Sequence, residues 1–169
     1  DIQFTFNTPV YYGSPITVEN GKLTLAVVDS VITDDTRKAL KNGSDFTIKE
    51  YSNNTNAGTG IITITGQGNY KGDLSPEFTI SPKDIESAGI DVNGIKTEGY
   101  TYTGSAIKPT FTLTDTLVSE KALVGYETGT AAPANADYEI GRGNNIKVDN
   151  NYPITITGKG NYTGTKTIT

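Results

Sequence analysis

The chain of 169 residues contains no cysteine, no histidine, no tryptophan and no methionine. Without cysteine there is no disulfide, no thiolate metal site and no thiol nucleophile. Without histidine, the commonest general base and the commonest zinc ligand are missing. The lack of tryptophan removes the strongest aromatic platform for a sugar or a cation. Basic residues are scarce as well: residues 1–82 hold 6 basic and 9 acidic side chains, residues 83–169 hold 8 and 10, and the net charge is -5. Neither half offers a basic stripe for a phosphate backbone, so nucleic acid is not an expected partner. No apolar run approaches the ~18 residues of a membrane helix, so no membrane insertion is expected in this segment. Hydrophobic residues make up 34% of the chain and its mean hydropathy is -0.37, enough for modest cores.

What is present is a duplication. Ile62-Thr63-Ile64-Thr65-Gly66-Gln67-Gly68-Asn69-Tyr70-Lys71-Gly72 returns as Ile154-Thr155-Ile156-Thr157-Gly158-Lys159-Gly160-Asn161-Tyr162-Thr163-Gly164, with nine of eleven positions identical at an offset of 92. The same offset sets Asp45-Phe46-Thr47-Ile48 against Asp137-Tyr138-Glu139-Ile140, and Asn53 against Asn145. Near the start of each half, Tyr11-Tyr12-Gly13-Ser14-Pro15-Ile16 matches Tyr102-Thr103-Gly104-Ser105-Ala106-Ile107 at an offset of 91. Matches in one order along both halves imply two modules, residues 1–82 and 83–169, joined near Ser81-Pro82-Lys83. Modules this small bury only ~60–65% of the surface their unfolded chains expose, so each folds with a thin margin.

The local pattern is strand. Phe4-Thr5-Phe6, Leu23-Thr24-Leu25, Phe46-Thr47-Ile48, Ile62-Thr63-Ile64, Phe111-Thr112-Leu113 and Ile154-Thr155-Ile156 alternate apolar with polar. Period two with β-branched residues predicts half-buried strands, apolar side inward. Gly-x-Gly-Asn after the Ile-Thr-Ile-Thr runs supplies the positive φ of a tight turn; it leads into another strand and lacks the third glycine of a dinucleotide fingerprint. The expected fold is all-β: two tandem antiparallel sandwiches of immunoglobulin-like type. The alternative is a β-grasp-like module with one short helix, because residues 33–43 carry helix start and stop signals. Both modules also hold extra residues before the Gly-x-Asp-aromatic element, at about Ser30–Lys38 and Leu117–Ala136, the latter ending in a stretch rich in small residues and read as a mobile loop.

Four motifs carry a resemblance. They are Tyr102-Thr103-Gly104-Ser105-Ala106-Ile107-Lys108-Pro109, Gly43-Ser44-Asp45-Phe46-Thr47-Ile48, Asn53-Asn54-Thr55-Asn56-Ala57-Gly58-Thr59, and the Gly-x-Gly-Asn-Tyr-x-Gly close of both modules. Together they resemble the tandem Ig-like repeats of large surface proteins of Gram-positive, often gut, bacteria. The second module departs from that pattern where Val148-Asp149-Asn150-Asn151 replaces Asn-Ala-Gly-Thr. The resemblance implies an extracellular, wall-attached or secreted location and a spacer, stalk or adhesive role. It implies no catalytic residues and no cofactor.

Candidate sites are few. Tyrosines that recur in both modules (Tyr70 with Tyr162, Tyr11 or Tyr12 with Tyr102, Tyr138 facing Phe46) read as core, ring buried and hydroxyl bonded to nearby backbone. The unpaired Tyr51, Tyr100, Tyr126 and Tyr152 are better placed for binding. Of these, Tyr126 beside Glu127 in the inserted loop, together with Tyr152, forms the expected ligand-binding set. Asp34-Asp35 and Asn144-Asn145 with Asp149-Asn150-Asn151 are the possible calcium oxygens, but they lack the spaced carboxylates of a calcium loop, and no metal site is expected. A Ser-His-Asp triad cannot form, no Gly-x-Ser-x-Gly elbow exists, and the chain is read as no enzyme. A Lys–Asn isopeptide crosslink would need a lysine beside Asn69 or Asn161, and no lysine recurs in both halves. The sequence therefore predicts a non-catalytic spacer repeat of an extended cell-surface protein, with other domains of that protein as its partners. The alternative is a module that binds polysaccharide or host glycoprotein through the inserted loops.

Overall fold

Alternation of isoleucine with threonine puts one kind of side chain on each face of a strand, and the structure follows that rule. In the computed structural model, which describes residues 1–34, 38–143 and 152–169, Ile62, Ile64 and Ile156 are 0%, 4% and 0% exposed. The intervening Thr63 and Thr65 face outward, where their hydroxyls meet Ser75 and Asp73. The chain divides into two compact units, Asp1–Ser81 and Pro82–Thr169. Both are nearly all β, with the strands arranged as sandwich layers. Among the described residues no helix is long and apolar enough to cross a membrane.

In the first unit, β1 (Ile2–Phe6), β2 (Leu25–Asp29) and β3 (Ala39–Leu40) form one antiparallel sheet. The second sheet is built on β4 (Phe46–Ser52) and β5 (Gly58–Gly66), with β6 (Asp73–Leu74) and β7 (Glu77–Ile80) pairing successive halves of β5. The pairing of β4 with β5 slips by one residue between Ile48 and Glu50. The two layers meet at the Phe6 and Phe78 rings, whose centroids are 5.9 Å apart. Gly60 lies opposite Phe78 in the β5–β7 register, and a Cβ there would come within 2.5 Å of the ring. Leu23, Val27, Phe46 and Ile80 complete the core, each contributing about 1.5–3 kcal/mol by leaving water.

The second unit repeats this plan and adds to it. Its strands are β8 (Lys83–Asp84), β9 (Ile90–Asn93), β10 (Thr112–Asp115), β11 (Lys121–Ala122), β12 (Gly125–Glu127), β13 (Tyr138–Arg142), β14 (Ile154–Gly158), β15 (Tyr162–Thr163) and β16 (Thr165–Ile168). One sheet runs β11-β10-β9 and the other β12-β13-β14-β16. Two pairings depart from the antiparallel expectation: β12 runs parallel to β13, and β8 parallel to β15. Gly125, opposite Tyr138, leaves room for that ring as Gly60 does for Phe78.

The segment of residues 34–41 carries no packed helix among its described residues. Lys38 N donates to Asp34 O at 3.0 Å, and the chain then becomes β3, with Leu40 opposite Val27. Pairing with β2 satisfies the backbone of Ala39 and Leu40, while residues 35–37, where the helix signals centre, lie outside the described residues. In the Leu117–Ala136 stretch, expected as an inserted loop, β11 and β12 take up part of the chain. Sheet neighbours supply hydrogen bonds there that a loop would have had to find in water.

The repeated motifs have physical reasons. Gly68 and Gly160 hold φ of 61° and 59°, the left-handed turn that a side chain disfavours. A Cβ on Gly66 or Gly158 would meet backbone at 2.8 and 2.6 Å, because the turn folds back onto the strand it leaves. Asp45 and Asp137, from the Gly-x-Asp-aromatic motif, each accept a backbone N–H on Oδ2, from Lys41 at 2.8 Å and from Val124 at 3.0 Å. Their own carbonyls accept the N–H of Gln67 and Lys159, both at 2.8 Å, and so dock the glycine turn.

Tyr70 and Tyr162 differ from expectation: their hydroxyls reach carboxylates, not backbone. Tyr162 donates to Asp115 Oδ2 at 3.1 Å, and Tyr70 donates to Asp29 Oδ2 at 3.3 Å. The other oxygen of each carboxylate accepts a backbone N–H two residues on, Leu117 at 3.1 Å and Val31 at 3.1 Å. Sequence offset alone does not align these aspartates, since Asp29 and Asp115 are not 92 apart. Strand pairing does: Asp29 lies opposite Ile2, and Asp115 opposite Ile90.

Candidate functional site

A concavity lies in the second unit, where the chain between β9 and β10 passes the ends of β13, β14 and β16. It encloses about 510 Å³, and its lining includes Lys96, Tyr100, Tyr102, Arg142, Tyr152 and Ile168. Strand alternation fixes Arg142 and Ile154 at adjacent places, since they pair across β13 and β14. Tyr152 is carried in just ahead of Ile154. Tyr100 and Tyr102 come from the segment after β9, whose glycines and Pro109 keep it out of the ladder.

Arg142 is the most constrained group. Its Nε donates to both oxygens of Glu127, at 2.9 and 3.1 Å, and its guanidinium lies 5.5 Å from the Phe111 ring centroid. The side chain is only 13% exposed. Among the described residues its Nη1 is buried without a hydrogen-bond partner. A buried, unmet donor of this kind costs about 1–3 kcal/mol, more when charged, and a ligand oxygen would relieve that cost. Tyr100 is 38% exposed and Tyr102 58% exposed. Lys96 braces the wall: its N–H donates to the Tyr100 hydroxyl at 3.2 Å and its ammonium sits 5.7 Å from that ring. Aromatic faces beside a guanidinium can stack on a flat ligand and hydrogen-bond its hydroxyl or carboxylate oxygens.

Of the ligand-binding set expected from sequence, Tyr152 lines this concavity, and Glu127 reaches it only through Arg142. Tyr126 does not line it. It lies in β12, not in a loop, and is half-buried. Lys159, 2.8 Å away, and then the Thr128 and Tyr126 hydroxyls hold Glu139 below the usual carboxylate range. Tyr126 and Glu127 thus serve as cross-strand ties in the β12–β13–β14 sheet. Tyr51 is likewise engaged, donating to Glu19 at 2.8 Å and accepting the Val18 N–H at 3.0 Å.

Tyr102 was expected in the core and is instead the most exposed tyrosine of the groove. Its counterpart Tyr11 is 6% exposed, because the Tyr11 N–H joins the chain at Ser81 and turns the ring inward. Exposure of a residue whose copy is buried was the signal for Tyr102, and sequence gives no access to it.

For the calcium candidates, Asp35 and residues 144–151 lie outside the described residues. Among those described, no group of three or more acidic side chains is placed to hold a metal ion. Lys83 is the lysine nearest the isopeptide question: its N–H donates to Asn161 O at 2.9 Å, while its ammonium pairs with Asp115 Oδ1 at 2.6 Å. Comparison with protein-family models, with curated proteins and with solved structures returned no match to this chain.

Proposed function

We propose that this chain is a non-catalytic structural segment, two sandwich repeats long, of an extended bacterial cell-surface protein. The observation that carries this reading is where the repeated residues go. Asp45 and Asp137, Tyr70 and Tyr162, and the paired Gly-x-Gly-Asn turns are all engaged in holding sheet to turn. A residue kept in both copies for internal ties suits a spacer, whose work is to stay folded. The resemblance to surface repeats supplies the habitat. In this reading the partners are the neighbouring domains of the same protein.

A second reading rests on the groove, where Tyr102 is exposed although its copy Tyr11 is buried. Tyr100, Tyr102, Tyr152 and Arg142 would make the second unit a binding module for polysaccharide or a host glycoprotein, with the guanidinium meeting a hydroxyl or carboxylate. One experiment separates the two. The 169-residue chain is screened against polysaccharides, mucin and matrix proteins, with Tyr102→Ala and Arg142→Gln as groove variants and Tyr126→Phe as a variant outside it. Saturable binding lost in Tyr102→Ala but kept in Tyr126→Phe establishes the binding module at the groove. Absence of binding at high concentration leaves the spacer.

A further inference from the structure

Asparagine is a thermolabile residue, above all ahead of glycine, whose missing side chain lets its backbone nitrogen reach the carboxamide. Three such pairs occur in this chain: Asn20-Gly21, Asn42-Gly43 and Asn93-Gly94. All three asparagines are exposed, so access of water does not distinguish them. Their hydrogen bonds do.

Asn20 is held at both ends of its carboxamide. Its Nδ2 donates to the Tyr12 hydroxyl and to Pro15 O, both at 2.8 Å. Its Oδ1 accepts the N–H groups of Lys22 at 3.1 Å and Thr17 at 3.2 Å. The Gly21 N–H is itself engaged, donating to Val18 O at 3.0 Å. At the second pair the Gly43 N–H donates to Phe46 O at 2.7 Å, while among the described residues the Asn42 side chain makes no hydrogen bond.

The third pair has neither restraint. Asn93 is the last residue of β9, the edge strand of the β11-β10-β9 sheet. Thr116 N–H donates to Gly89 O at 2.8 Å, and antiparallel ladders bond at every second pair, so Asn93 exchanges its backbone bonds with Thr112. The N–H of the next residue, Gly94, therefore points away from β10. Among the described residues neither that N–H nor the Asn93 carboxamide makes a hydrogen bond. Gly94 holds a φ of 101°, and a Cβ there would lie 3.1 Å from Thr110 O. The turn thus requires the very glycine that makes the pair reactive.

We infer that Asn93 is a site of spontaneous covalent modification in the folded protein, with water as the co-reactant. Gly94 N gives up its proton to hydroxide and attacks Asn93 Cγ. A C–N bond closes a cyclic succinimide, the Cγ–Nδ2 bond breaks, and Nδ2 leaves as ammonia after taking a proton from water. Water then opens the ring at either carbonyl, giving aspartate or isoaspartate. In sum an amide and a water become a carboxylic acid and an ammonia, with no change of oxidation state. Either product adds a negative charge on the face of β9 that carries Asp91, since alternate residues of a strand share a face. Isoaspartate also lengthens the backbone at the end of the strand.

The test ages the full chain in mildly alkaline buffer and, in parallel, in concentrated guanidinium chloride. Peptide mapping by mass spectrometry follows conversion at each pair. In the folded chain Asn93 should convert first, Asn42 next and Asn20 last. Asn93 should lead Asn20 by about tenfold or more, because reaction at Asn20 must first break several hydrogen bonds. In guanidinium the three rates should converge, since the same dipeptide then reacts in an open chain. Tyr12→Phe, which removes one acceptor of Asn20 Nδ2, should speed conversion at Asn20 and leave Asn93 unchanged. The inference is overturned if Asn93 does not lead in the folded chain, or if its lead persists undiminished in guanidinium.

Discussion

Tyr162 and Asp115, 47 residues apart in the chain, are joined by a buried hydrogen bond of 3.1 Å. The bond ties the first residue of β15 to the last residue of β10. Lys83 holds the second oxygen of the same carboxylate, and the Lys121 ammonium lies 5.1 Å from the Tyr162 ring. Tyr70 and Asp29 repeat the tie at 3.3 Å in a more open setting.

Tyr162→Phe and Tyr70→Phe should therefore differ in cost. The first removes a buried bond to a charged group, worth about 1.5–3 kcal/mol, and the second a half-exposed one at the low end of that range or below. Chemical denaturation of the two variants checks the order. Equal losses would show that burial does not set the value of this tie.

Lys83→Met should be among the most damaging single changes, because it leaves Asp115 buried and unpaired. Breaking a buried pair on one side costs about 3–5 kcal/mol. Adding Asp115→Asn to Lys83→Met should recover part of the loss, so the double variant is expected to be more stable than the sum of the singles. A double-mutant cycle by denaturant unfolding measures this.

Gly158→Ala should cost more than Gly72→Ala. Gly72 has a positive φ of 85° but open space around the missing Cβ, so alanine there meets only backbone strain of about 1–2 kcal/mol. At Gly158 the Cβ would lie 2.6 Å from Thr163 N and 2.7 Å from Thr163 O, and backbone cannot yield as a side-chain tip can. Thermal unfolding of both variants tests the comparison.

Alkaline pH should weaken the first unit through Tyr51. Burial, followed by the charge and hydrogen bond of Glu19, pushes its hydroxyl up to about 12 from an ordinary value of 10.0. The folded state then keeps a proton that the unfolded state gives up. Stability is intact below pH 10 and falls as the pH rises toward 12. Tyr51→Phe should flatten that decline while lowering stability at neutral pH, since Val18 N–H loses its acceptor. Urea unfolding at pH 8, 10 and 11 provides the check.

At acid pH, Asp29 acts in the opposite sense. The Val31 N–H first, then the Asp1 ammonium and Tyr70, hold its carboxyl below 3.8. Its contribution is present above the ordinary carboxylate range and is lost as pH falls through the lowered value. Asp29→Asn should reduce the acid sensitivity of the first unit between pH 5 and 3.

How much of this was legible beforehand differs residue by residue. Ile62, Ile64 and Ile156 could be assigned to the core from alternation alone, because a strand has no other way to present a period of two. The glycine turns could be assigned from Gly-x-Gly-Asn, because a left-handed φ has few substitutes. Asp45 and Asp137 were visible as a repeated motif, yet their task, accepting one backbone N–H and docking a turn, depends on contacts that spacing does not encode. Tyr126 shows the limit most clearly. A stretch of chain with loop composition became β12 because β13 offered it an edge.

The sequence by itself determined the class of the fold, the internal duplication and the inward face of the main strands, since these follow from local periodicity and from self-similarity. Only the tertiary structure decided which carboxylates meet Tyr70 and Tyr162, that Tyr102 is exposed while Tyr11 is buried, and that Arg142 brings Glu127 toward the groove. These are relations between segments far apart in the chain. They are set by how two layers pack, and no local pattern of side chains carries that information.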